Sequence, residues 1–71
     1  MIPGVWTANA DVHPASVDTD ATMLLGNAWG VMGEYTNYYN DKGVDRWFID
    51  DSYYDGDEPP THWLIVPPVP A

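Results

Sequence analysis

Three observations predict a mainly β domain, a small antiparallel sheet of three to four strands with long loops and at most one short helical turn. Short apolar segments alternate at period two, and Gly, Pro, Asn and Asp punctuate the chain between them. No stretch holds the helical apolar repeat long enough for a helix of useful length. Hydrophobic residues make up 45% of the 71 and aromatic ones 14%, so a core can form despite eleven acidic and only two basic side chains. A chain of this size holds one such core, and residues 1–71 are expected to be a single acidic domain.

Taken in order, residues 1–21 read mostly as coil. Ile2, Val5 and Trp6 are their apolar anchors, and His13-Pro14 and Asp18-Thr19-Asp20 are loop chemistry. A brief helical turn is expected to begin near Pro14 or Ala15, since proline suits a first helical position. Residues 22–66 carry the sheet. A first strand covers 22–25, and Gly26-Asn27 is a turn signal. A second strand covers 28–36, with Trp29, Val31 and Tyr35 on one face and Met32, Glu34 and Thr36 on the other. Gly33 marks a place in it where a neighbour packs closely.

Residues 37–43 have loop composition around Tyr38-Tyr39. A third strand covers 44–50, where Asp45, Trp47 and Ile49 alternate with Arg46, Phe48 and Asp50. Residues 51–60 read as a polar loop. A fourth strand covers 61–66, and its apolar run suggests burial on both faces. The Pro-rich tail 67–71 either caps the sheet edge or lies as polyproline II. Trp6, Trp29, Trp47 and Trp63 fall one to an element, which suits a shared aromatic core.

Composition also excludes functions. There is no cysteine, so neither disulfides nor a Cys-based zinc site can staple the fold. Apart from carboxylates, tyrosines and threonines, only Ser16, Ser52, His13, His62, Lys42 and Arg46 could serve common catalytic roles, and no Gly-rich phosphate loop occurs. The expectation is therefore no enzyme, no catalytic residue, no metal and no cofactor. His13 and His62 stand alone in sequence and read as structural hydrogen-bonding residues. The acidity argues against direct binding to nucleic acid or to an anionic membrane, both of which need Lys and Arg. No basic leader precedes a long apolar run, so a cytoplasmic location is expected.

The C-terminal residues are more specific. Thr61-His62-Trp63 with Pro67 and Pro70 gives T-H-W-x-x-x-P-x-x-P. This resembles the closing signature of a family of small phage and prophage domains of unknown function, number five-fifty-one in the domain-of-unknown-function series. Trp6 and Pro14 match that family's Trp-to-Pro spacing. Met23-Leu24-Leu25 sits at its V-L-V strand, and Gly33-Glu34-Tyr35 and Trp47-Phe48 follow in order. Departures are Thr7 for Ile, His13 for Leu, and Leu64-Ile65-Val66-Pro67 where the family reads M-P-L-P. The resemblance covers nearly the whole chain and implies a compact fold in a phage setting, hence the cytoplasm of a bacterial host. It implies no activity.

Seven of the eleven acidic residues lie between 41 and 58, namely Asp41, Asp45, Asp50, Asp51, Asp55, Asp57 and Glu58, around Tyr53 and Tyr54. The plain reading is a solvated stretch that keeps a small protein soluble. The functional reading is a polyanionic surface for a basic partner, with the two tyrosines as contact residues. Strand residues i and i+2 lie roughly 6.6 Å apart on one face. DNA phosphates recur every ~3.4 Å along a strand, so carboxylates on a rigid sheet can approximate a phosphate row. Asp51-x-Tyr53-x-Asp55-Gly56 echoes an EF-hand start, but Tyr53 and His62 occupy ligand positions and Pro59-Pro60 stops a following helix.

The leading expectation is a phage-encoded acidic decoy. It would bind the nucleic-acid groove of a basic host protein, such as a CRISPR surveillance complex, and block DNA. The alternatives are a small phage structural or regulatory module whose acidity serves solubility only, and a weak divalent-cation binder.

Overall fold

Residues 23 to 53 form a meander whose three connections are all two residues long. β2 (Met23–Asn27) turns through Ala28-Trp29 into β3 (Gly30–Asp41), which follows β1 (Thr7–Ala8) and a short turn of 3-10 helix at Pro14–Ser16. Lys42-Gly43 leads into β4 (Val44–Ile49), and Asp50-Asp51 leads into β5 (Ser52–Tyr53). At these last two turns both central residues have positive φ: 53° and 87° for Lys42 and Gly43, 52° and 62° for Asp50 and Asp51. That is the backbone twist that closes antiparallel strands, and Asp tolerates it better than most residues. The last strand, β6 (His62–Ile65), returns across the molecule to lie between β1 and β2. The computed structural model describes residues 2–70; Met1 and Ala71, the outer ends of the expected coil and tail, lie outside the described residues.

The result is one antiparallel sheet of six strands in the order β1-β6-β2-β3-β4-β5, with almost no helix. The mainly β reading holds, but the expected three to four strands become six. The two additional strands are short pieces inside segments read as coil and polar loop: β1 pairs Thr7 with Trp63, and β5 pairs Tyr53 with Phe48. The expected loop at 37–43 is also overturned. β3 runs on to Asp41, because Asn37, Tyr38, Tyr39, Asn40 and Asp41 pair in register with Phe48, Trp47, Arg46, Asp45 and Val44. Cross-strand pairing outweighs the weak strand preference of asparagine and aspartate there. Likewise Gly26-Asn27 ends β2, and the reversal itself falls on Ala28-Trp29. The helical turn at Pro14 forms where expected.

Two bulges bend β3. Leu25 pairs with Gly33 while Gly26 pairs with Val31, which leaves Met32 as the extra residue; Thr36 is extra between the Tyr35–Ile49 and Asn37–Phe48 pairs. Each bulge shifts the alternation by one residue. The expected faces of this strand are therefore wrong: Val31 is exposed, whereas Met32 and Tyr35 both pack against the core. The bulges also let β3 pair with β2 along its first half and with β4 along its second.

The core is Met23, Leu25, Trp47, Ile49 and Trp63, with Val17, Met32, Tyr35, Tyr38, Tyr54 and Ile65 packed around it. Alternation in β4 is as expected, with Trp47 and Ile49 inward. The N-terminal coil covers this face. Val12 accepts a 2.7 Å hydrogen bond from the Trp63 indole through its carbonyl, and Pro14 is fully buried. The His13 ring lies 4.4 Å from Tyr38 and 5.3 Å from Trp47, while its Nδ1 accepts from the Ala15 N–H. His13 is thus a structural residue that caps the helical turn. The shared four-tryptophan core is corrected by half. Trp47 and Trp63 are buried, but Trp29 is 81% exposed at a turn and Trp6 is 41% exposed across the outer face of Gly26.

Candidate partner-binding surface

The acidic stretch divides into carboxylates held by the fold and carboxylates left free. Asp41 pairs with Arg46 at 3.5 Å, a solvated ion pair that contributes little to stability. Asp45 accepts from the Tyr38 hydroxyl at 2.6 Å and from the Asn40 amide at 3.2 Å. That hydrogen bond to Asp45, with some desolvation, holds the Tyr38 phenol above its ordinary pKa. Burial raises the pKa of Tyr35. Asp50 is bound on both sides: its N–H donates to the Glu34 carbonyl and its Oδ1 accepts from the Glu34 N–H, each at 2.9 Å. The Asp50 carboxylate fills the space that a side chain at Gly33 would need, so the close approach expected at Gly33 is real and has Asp50 as its partner.

Asp51 donates its N–H to the Thr36 hydroxyl at 3.1 Å. The carboxylates of Asp51, Asp55, Asp57 and Glu58 have no hydrogen bond or ion pair among the described residues. These four are the free anionic surface of the stretch. Tyr53 is exposed, accepts from Arg46 at 2.8 Å and stacks edge-on against Phe48. The bond to the Tyr53 oxygen is the main cause that raises the Arg46 pKa. Tyr54 instead turns inward and donates its hydroxyl to the Glu58 carbonyl at 2.7 Å.

No group of three or more metal-ligating side chains comes together among the described residues, and no helix among them is long and apolar enough to cross a membrane. The chain matches no family model, no curated protein and no solved structure.

Sequence reasoning missed how the β2–β3 turn is joined to the 54–60 loop. Asn27 does this with one amide. Its Oδ1 accepts from the Trp29 N–H at 2.9 Å, and its Nδ2 donates to the Glu58 carbonyl at 2.8 Å. Asparagine in a turn signals a side chain bonded to the backbone two residues on; the second bond spans 31 residues and leaves no local trace. An open groove of about 500 Å³ adjoins both elements, with Trp29, Val31, Ile49, Asp50, Tyr54 and Glu58 among the residues that line it.

Asn27→Ala removes both bonds and leaves the Glu58 carbonyl with one donor. Each such bond contributes about 1 kcal/mol. The expected result is a loss of about 1–2 kcal/mol in urea unfolding, with faster hydrogen exchange at the Trp29 amide. Unchanged exchange at that amide would show that Asn27 does not hold the turn.

Proposed function

We propose that the domain is an acidic decoy that occupies the nucleic-acid groove of a basic protein and keeps nucleic acid out. The observation that carries this reading is the placement of charge. No charged side chain is fully buried among the described residues, so the formal charge of −9 is presented to solvent. The molecule is elongated, 42 × 23 × 21 Å. Over that length one strand of DNA carries about 12 phosphates and a duplex about 25. Eleven carboxylates therefore compare with a single strand rather than a duplex. The free carboxylates lie outside the strands, Asp51 in the β4–β5 turn and Asp55, Asp57 and Glu58 in the loop after β5, and their concentrated charge favours fast, steered association. The target proposed is a basic host defence complex, such as a CRISPR surveillance complex.

The test is competition. The immobilised domain is exposed to bacterial lysate, eluted in steps from about 50 to about 300 mM salt, and the eluted protein is assayed for DNA binding with and without the domain. The expected result is a protein whose DNA binding the domain suppresses, less so as salt rises. A variant with Asp51, Asp55 and Asp57 all changed to Lys should lose the suppression while keeping its melting temperature within a few degrees, because none of these carboxylates holds the fold. Asp50 is left alone because it does. Suppression that survives the triple change would remove the decoy reading.

A second reading, a structural or regulatory phage module whose acidity serves solubility only, is favoured by the exposure of Trp29 and Val31. It predicts binding through apolar contacts that salt does not weaken.

A further inference from the structure

We infer that the groove between the β2–β3 turn and the 54–60 loop is an arginine-binding subsite, which takes an arginine side chain from a basic partner. Trp29 stands at the tip of a two-residue turn with 81% of its surface exposed, and Val31 beside it is 63% exposed. An indole left in water at this level is costly to display and gives its face to a ligand. The same groove supplies charge, because Asp50 and Glu58 line it together with Trp29. The Asp50 carboxylate is bonded to the Glu34 N–H, which fixes it in place, and the Glu58 carboxylate has no hydrogen bond or ion pair among the described residues. Asn27 joins the two backbones that carry the platform and the acceptor, through the Trp29 N–H and the Glu58 carbonyl.

A planar cation fits this combination. A guanidinium can lie on the indole face while its N–H groups reach a carboxylate at the side, and it sheds water more readily than an ammonium. Charge rules out a second copy of this chain as occupant, because each copy carries −9 and the groove itself is lined by carboxylates. A neutral apolar segment would leave Asp50 and Glu58 without a counter-charge. The lining carboxylates and the overall charge both select a basic occupant. The subsite deepens the decoy reading and takes its biological meaning from it, adding a shape-specific anchor to a diffuse charge.

The experiment uses the full chain and two peptides of equal length and charge, one alternating arginine with glycine and one alternating lysine with glycine. Binding is followed by calorimetry and by the Trp29 indole N–H resonance. The arginine peptide is expected to bind about fivefold more tightly than the lysine peptide and to move the Trp29 resonance. Trp29→Ala, at an exposed turn position, should stay folded and bind both peptides equally. Glu58→Gln should weaken both while keeping the arginine preference. Equal affinities in the parent chain, or an arginine preference that persists in Trp29→Ala, would overturn the assignment. Failure here alongside DNA competition that still depends on Asp51, Asp55 and Asp57 would leave the decoy standing with no subsite. The reverse result would leave a subsite without a decoy.

Discussion

Trp63→Ala is expected to lower the melting temperature by at least about 15 °C and to leave much of the chain unfolded under mild conditions. Trp63 is 1% exposed on β6, between β1 and β2, and touches both the sheet core and the N-terminal coil. Removing a buried tryptophan costs about 3–5 kcal/mol, since the cavity closes only partly. The Val12 carbonyl also loses the indole N–H that satisfies it. A domain of this length has a total stability of about 4–11 kcal/mol, so one such change removes a large share. Trp63→Phe keeps most of the area and loses the hydrogen bond, and should cost clearly less. Thermal denaturation of both variants by near-ultraviolet circular dichroism decides the matter; equal losses would mean that the indole bond to Val12, and not burial, dominates.

Gly33→Ala should cost about 2–5 kcal/mol, an unusual amount for a single methyl group. Gly33 has φ of 145°, a conformation that side-chain-bearing residues rarely adopt. A Cβ there would run into the Asp50 carboxylate and would lie 2.8 Å from Ile49 Cγ2. The clash with Asp50 can be relieved separately. Asp50→Gly removes the carboxylate and suits the positive φ of 52° at that turn, at the cost of the bond to the Glu34 N–H. In that background Gly33→Ala should cost at least about 1 kcal/mol less than in the parent chain, a coupling measured by a double-mutant cycle in urea. Additive costs would show that the two residues do not share one space.

Asp50 also shows why the acidic stretch could be read only in part. Its position beside Asp51 and near Asp55 suggests one continuous charged surface. Its carboxylate in fact belongs to the packing of β3, through a contact with residues 33 and 34 that sequence distance hides. Asp41 and Asp45 are similarly engaged by Arg46, Tyr38 and Asn40. The alternation of Trp47 and Ile49 in β4 was legible because a regular strand with one buried face has a period of two. The faces of β3 were not, because a bulge at Met32 in its pairing with β2 and another at Thr36 in its pairing with β4 each shift the alternation. Nor was the extension of β3 through Asn37 and Asn40, whose own preferences point to a loop.

What the chain determines by itself is its class. The period-two apolar segments, the turn residues, the aromatic content and the charge of −9 require a small acidic β domain with its carboxylates outside, because local pattern and composition fix which surfaces must be hidden. The tertiary structure alone decided which tryptophans are core and which stand exposed, which carboxylates are structural and which are free, and that Asn27 joins Trp29 to Glu58 to make a groove. Those outcomes depend on contacts between residues far apart in the chain, above all the return of β6 between β1 and β2. Such contacts are set by the closing of the whole sheet and have no local signature.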